Sequence, residues 1–176
     1  MRAAQRDRAA FGPLYRRYLD RVYGYCFYLL GDHHDAEDAT ERTFVAALAA
    51  IEGYRDDGAT FRAWLFRIAH NQLANALRAR QRQRTAPIDA VAEPMSHADP
   101  AGIVNRAEEA RVLRHALGAL ADDRRQVLVL RFVDGLSARE IGAVLGRSEG
   151  AVRVLQHRAL RQLAESLATG DIEPTV

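Results

Sequence analysis

The sequence predicts an all-α fold: two small helical domains joined by a flexible linker. Three observations carry this. Apolar residues recur at helical spacing along most of the chain, and strand alternation is absent. Twelve of the thirteen Phe, Tyr and Trp residues lie in residues 1–66, with Phe132 the only later one, whereas a single mixed core would spread them more evenly. Between the two regimes, Gln81–Pro87 and Glu93–Pro100 are polar, lack periodicity and hold three of the five prolines, the composition of a linker. The domains are placed at 1–83 and 107–176, with the linker at 84–106.

The elements follow in order. A first helix covers Arg6–Leu30, with a break expected near Leu19 and Asp20, and Gly31 ends it. A second covers His33–Tyr54, with Asp32 and Asp35 as possible N-caps. The loop Asp56–Ala59 separates it from a third, Thr60 to Arg80 or a little beyond. The C-terminal half reads as four shorter helices: Ile103–Leu120, Asp122–Val133, Ser137–Leu145 and Ser148–Ala168.

Composition excludes several function classes. The chain has 176 residues, 48% hydrophobic and 27% charged, a folded profile. No stretch reaches the ~18 uncharged apolar residues of a membrane span, and the N-terminus has no signal-peptide pattern. The lone Cys26 excludes an internal disulfide or a Cys-based zinc site, and its aromatic neighbours predict a buried apolar role. A cytoplasmic setting without membrane insertion follows. The six histidines form no metal-ligand spacing, and there is no Gly-rich phosphate loop or nucleophile elbow. No catalytic residue, metal or cofactor is therefore expected. All 25 basic residues are arginine and net charge is +2. Arginine suits phosphate and base-edge contacts, but codon bias in a GC-rich genome gives the same excess.

Leu136–Arg153 has the grammar of a helix-turn-helix. Ser137 and Glu140 form a capping box, and Ile141, Val144 and Leu145 form a buried stripe. Gly146 permits the turn, and Ser148 caps the next helix. Val152, Leu155, Ala159 and Leu163 face inward, which turns Glu149, Arg153, His157 and, less fully, Gln156 outward. A polar N-terminal half on the second helix is what docking in a major groove requires. A helical hairpin that merely packs shares the shape but does not need the polar face.

The helix from Thr60 has an apolar stripe of Phe61, Trp64, Leu65, Ile68, Ala69, Leu73 and Ala76. Arg67, Asn71, Asn75 and Arg78 share another face. Such a row suits phosphates and exposed base edges, although an ordinary solvated face gives the same pattern. Trp64 is placed to stack on a base or to pack in the core. The preceding helix opens with Asp35, Glu37, Asp38 and Glu41. The helix dipole explains two acids there, and four suggest a docking surface for a basic partner.

Together these segments resemble the extracytoplasmic-function (ECF) group of the sigma-70 family of bacterial RNA polymerase sigma factors. Phe11–Tyr18 through Asp32 resembles the start of region 2. Asp35–Asp38 with Thr43 and Phe44 resembles the polymerase-docking motif, Phe61–Asn71 the promoter-melting segment, and Arg124–Ala159 region 4. The sequence departs from the family pattern at Glu41, Asn75, Ala151, Val154 and Leu155. The resemblance implies an alternative sigma factor that binds core RNA polymerase and directs promoter-specific initiation at −35 and −10 elements, with an anti-sigma factor as a further partner. It implies polymerase contact through Asp35, Glu37, Asp38 and Glu41. The −10 strand is assigned to Tyr54, Arg62, Arg67, His70, Asn71, Asn75 and Arg78. The −35 duplex is assigned to Arg147, Ser148, Glu149, Arg153, Gln156, His157 and Arg158. A stand-alone helix-turn-helix regulator explains the C-terminal half alone and leaves the acidic motif and the Trp64–Asn71 segment without a role.

Overall fold

A computed structural model describes residues 8–55, 60–84 and 115–168. The linker beyond Arg84, the loop Asp56–Ala59 and the helix foreseen from Ile103 to residue 114 lie outside the described residues. The regular elements among them are all helical, with no strand.

A 3-10 turn at Arg8–Phe11 leads into α1, Gly12–Leu30, with Pro13 in its first turn, where its missing N–H costs nothing. The helix runs unbroken through Leu19 and Asp20, because neither residue removes a donor or strains the backbone. It ends at Gly31, whose φ of 74° lets its N–H bond back to the Phe27 carbonyl at 2.9 Å. Helix α2, His33–Ala50, is capped by Asp32 alone, whose carboxylate accepts from the Asp35 N–H at 2.8 Å. It relaxes into a 3-10 turn at Ile51–Gly53, so Tyr54 lies beyond the helix. Helix α3 is Phe61–Arg84, and the Thr60 hydroxyl accepts from the Ala63 N–H at 3.2 Å.

These three helices bury Val22, Tyr25, Cys26, Ala36, Ala39, Phe44, Ala47, Leu65, Phe66, Ala69 and Leu73. Cys26 is fully buried, as its setting predicts. Small residues on α2 let the helices approach. Thr40 and Thr43, also buried, donate to the Ala36 and Ala39 carbonyls at 2.7 Å, which satisfies their hydroxyls. The Phe66 ring meets Tyr25 edge-on at 5.5 Å.

Residues 115–118 are helical, and α4 covers Asp122–Leu128. The single helix expected over Asp122–Val133 is not regular: Val129–Val133 forms a π turn, closed by the Asp134 N–H to the Val129 carbonyl at 3.3 Å. Val127, Leu128, Val129 and Leu130 are consecutive and all buried, packed between their own half and the first. One α-helical stripe cannot hide four consecutive side chains, and the wider turn accommodates them. Helices α5, Ala138–Leu145, and α6, Glu149–Ala168, complete the second half. The two halves pack on each other, α3 against α5 and the π turn over α1. Gly24 lies at this contact, where a Cβ would sit at an ordinary packing distance, 3.8 Å, from a Val133 methyl.

Candidate nucleic-acid interface

The acidic start of α2 is exposed at Asp35, Glu37 and Glu41 and half-exposed at Asp38, which Arg42 approaches at 3.4 Å one turn on. Glu37 and Glu41 also rim a groove of about 510 Å³ between α1 and α2, floored by Phe11, Tyr15, Leu19, Phe44, Val45 and Leu48. Val45 is 63% exposed. The sequence showed the acids and not this apolar floor. A carboxylate rim around it suits a partner helix that is basic at its edges and apolar along its contact line.

On α3 the row foreseen from helical spacing is present: Arg67, Asn71, Asn75 and Arg78 are all exposed. Arg78 donates to the Asn75 side-chain oxygen at 3.1 Å and to the Ala74 carbonyl at 2.9 Å. His70 is half-buried, and burial pushes its pKa down, which favours the neutral ring. Tyr54 is buried, with its ring edge-on to Phe61 and Trp64 at 5.8 and 5.2 Å. Trp64 is half-buried in that aromatic trio, so core packing accounts for its position. Arg62 does not stand free. Its Nη2 donates to Glu140 Oε2 at 2.7 Å and its Nε to Oε1 at 3.3 Å, from one half of the molecule to the other.

The helix-turn-helix forms as its sequence prescribes. The Ser137–Glu140 capping box is complete, with Glu140 N–H to Ser137 Oγ at 3.2 Å and Ser137 N–H to Glu140 Oε2 at 2.9 Å. Gly146 takes φ 66°, and Ser148 Oγ accepts from the Ala151 N–H at 3.2 Å. Val152 and Ala159 are buried, and Glu149, Arg153, His157 and Arg158 are exposed, while Gln156 is half-buried. Glu149 and Arg153 pair at 2.6 Å across one turn. Arg147, in the turn, lies 4.0 Å from Asp123. On the opposite side, Gln162 ties α6 to α4, accepting from Arg124 at 2.6 Å and donating to the Ala119 carbonyl.

Two residues of this unit escaped the sequence reading. Gly142 packs so closely on the turn that a Cβ there would lie 2.5 Å from the Arg147 carbonyl oxygen. Glu140 has a second role toward Arg62 and Thr60 that a capping box does not announce. Burial opposes its ionisation, but hydrogen bonds from Arg62, Ser137 and Thr60 outweigh that and hold its pKa at about 2.

Among the described residues no cluster of His, Cys, Asp and Glu is grouped to hold a metal ion. No helix among them is long and apolar enough to cross a membrane.

The family model for Sigma-70 region 2 matches residues 14–83, and that for Sigma-70 region 4 matches residues 116–165. The ECF RNA polymerase sigma factor BldN of Streptomyces coelicolor is 35% identical, over 94% of this chain and 63% of BldN. The RNA polymerase sigma factor CarQ of Myxococcus xanthus is 35% identical, over 93% of this chain and 92% of CarQ. The chain thus spans less than two thirds of BldN and nearly all of CarQ. The structure of CnrH, solved in complex with the cytosolic domain of CnrY, superposes with a TM-score of 0.70 at 30% identity, covering 96% of this chain and 94% of CnrH. Both halves match in the order found here, and the polar row of α3 and the capped helix-turn-helix fall inside the matched residues. The chain belongs to the ECF group of the sigma-70 family of RNA polymerase sigma factors.

Proposed function

We propose that the chain is an alternative sigma factor that binds core RNA polymerase and directs initiation at promoters with its own −35 and −10 elements. The observation that carries this reading is the pairing, in one chain, of two DNA-suited surfaces of different kinds. The Arg and Asn row on α3 suits an unstacked single strand, and the outward half of α6 suits a duplex major groove. The role is positional and not enzymatic, and the setting is the cytoplasm. Residues 1–83 form the polymerase-docking and −10 unit, 84–106 the connector and 107–176 the −35 unit. Asp35, Glu37, Asp38 and Glu41 make the docking surface, with Glu37 and Glu41 on the rim of the groove. Arg67, Asn71, Asn75 and Arg78 track the opened strand, with Arg62, His70 and Tyr54 beside them. CnrH forms a complex with the cytosolic domain of CnrY, and an anti-sigma protein is taken as this chain's further partner.

Two substitutions test the division of labour. Asp38→Arg reverses charge on the acidic start of α2, and affinity for core polymerase should fall about tenfold through the loss of electrostatic complementarity. Asn71→Ala should leave that affinity unchanged and slow promoter opening about tenfold, the cost of roughly one hydrogen bond to the strand. Permanganate footprinting of the opened −10 region, read beside polymerase binding, checks both. The reverse pattern would show that the two faces are assigned backwards.

Arg153 is expected to read a base. Its pair with Glu149 joins two exposed side chains, and such a pair contributes only about 0.3–0.5 kcal/mol. A bidentate guanine contact supplies about 1–3 kcal/mol of discrimination, enough to displace it. Arg147 and Arg158, flanking the entry, and Ser148, at the helix N-terminus, suit phosphates, while Gln156 and His157 lie further along. Transcription from a library of −35 sequences with Arg153→Ala should lose preference at one or two positions. A uniform loss would assign Arg153 to the backbone.

A further inference from the structure

One side chain on the outward half of α6 is apolar, and packing does not explain it. Val152 and Ala159 are fully buried on the inner face. At about 100° per residue, Val154 points almost directly away from them, and it is 49% exposed. Leu160 is the other large apolar side chain that α6 exposes, and only Val154 lies in the first two turns. Valine is a poor choice for a solvated helix surface. Its branched side chain gives up χ1 freedom in a helix and gains no contact there. Single exposed apolar side chains are common on protein surfaces, and this one is set apart by its neighbours.

By helical spacing, Arg153 and His157 lie to one side of Val154 and Arg158 to the other, and all three are exposed. Gly150 precedes Val154 by one turn on the same face, and a Cβ there would meet nothing within 4 Å. The approach to the valine is therefore bare backbone bordered by open space. The result is an isolated pair of methyl groups set among basic side chains. Its complement is a surface with anionic walls and an apolar point between them. The DNA major groove is such a surface. Its phosphates flank base edges that carry donors and acceptors, and the apolar group among those edges is the C5 methyl of thymine. The stiff χ1 of valine suits this contact, because its methyls are already fixed and little side-chain freedom is left to lose.

We propose that Val154 is a specificity-determining residue of the −35 unit, taking the C5 methyl of one thymine by van der Waals contact. The inference rests on α6 being the −35 helix, and it adds a second kind of recognition to that helix. Arg153 and His157 offer hydrogen bonds, which read nitrogen and oxygen on the base edges and leave the methyl unread. Val154 reads the methyl and nothing else.

The test uses the full chain with core polymerase, on a promoter carrying the −35 element preferred in library transcription. Deoxyuridine replaces each −35 thymine in turn, on either strand, which removes the methyl and keeps every hydrogen-bonding edge. With the unchanged chain at limiting concentration, initiation should fall about fourfold at one of these positions, the effect of one methyl no longer buried. The other positions should stay level. Val154→Ala should initiate about fourfold less from the thymine promoter and be indifferent to deoxyuridine at that position. Val154→Thr keeps one methyl on the same Cβ and should retain part of the discrimination. Leu160→Ala removes the other exposed apolar side chain of α6 and should leave the whole effect in place. The melting temperature of Val154→Ala should not fall, since alanine favours a helix and the valine is exposed.

Indifference of the unchanged chain to every methyl overturns the inference, as does a preferred element with no thymine on either strand. A methyl effect that survives Val154→Ala overturns it too, and so does a Val154→Ala loss that is uniform across all templates. In each of these cases initiation is still observed, so the sigma reading stands. No initiation from any template overturns the sigma reading, and this inference with it.

Discussion

Gly142→Ala should lower the melting temperature by roughly 5–10 °C and abolish −35-dependent initiation. The added Cβ would meet the Arg147 carbonyl oxygen at 2.5 Å, with the Glu149 nitrogen at 3.7 Å. The nearest obstacle is backbone, held by the Arg147 N–H to the Gly142 carbonyl at 2.9 Å, so it cannot yield as a flexible side chain would. Overpacking of this kind costs about 1–3 kcal/mol, and each kcal/mol lowers the melting temperature of a chain this size by roughly 2–4 °C. The same displacement moves α6 relative to α5, which is why −35 recognition should fail along with stability. The other glycines of the unit set the comparison. Gly146→Ala strains a backbone with φ 66° and should cost about 1 kcal/mol. Gly150→Ala meets nothing within 4 Å in helical backbone and should stabilise by about 0.5–1 kcal/mol. Thermal melts of the three single variants give this order, and a neutral Gly142→Ala would mean that the turn is looser than drawn.

Raising the pH from 6.5 to 8 should destabilise the folded chain by about 1.5 kcal/mol, and Asp134→Leu should remove that slope. Burial raises the Asp134 pKa from 3.8 to about 8, against the partial relief of Arg21 and Arg62 nearby, with Tyr25 and Cys26 packed on the same side. The folded state therefore holds a proton that the unfolded state has released. Its stabilising contribution is complete below about pH 4 and is lost as pH rises through about 8. His70 acts in the opposite direction and lower: its depressed pKa contributes stability present above 6.5 and lost below it. Burial raises the Cys26 thiol from 9.0 to about 12, so that group acts only above 9. His70 therefore offsets part of the slope just above 6.5, and the fall in the upper part of the interval belongs to Asp134. Urea unfolding across it measures the slope, and a flat profile would show that Asp134 is ionised and solvated in the folded chain.

How much of this was legible in the sequence depends on how far each residue's partners lie along the chain. The Ser137–Glu140 box, the Asp32 cap, the Gly31 and Gly146 stops and the outward set on α6 are written within a turn or two, and all formed as expected. Phe66 was missed because α3 packs on α1 and α2 along one face and on α5 along another, so one stripe could not describe it. Ala63 and Phe66 are both buried although they lie outside the stripe read from the sequence, and Phe66 meets Tyr25 of α1 edge-on. The π turn was missed for a related reason: a run of consecutive apolar residues reads as one helix until it is known that both sides are covered. The polar row on α3 was visible, but the pairing of Arg62 beside it was not. Arg62 and Glu140 are 78 residues apart, and neither an arginine in a basic row nor a glutamate in a capping box signals that it has a distant partner.

Whether the chain gives core polymerase its choice of promoter is decided by mapping transcript 5′ ends made by core RNA polymerase on genomic DNA with and without the chain. A discrete set of new start sites that share one −35 and one −10 element should appear, and these should be lost together when Asp38→Arg breaks docking. Start sites identical to those of core polymerase alone, from a chain that binds promoter duplex tightly by itself, would contradict it.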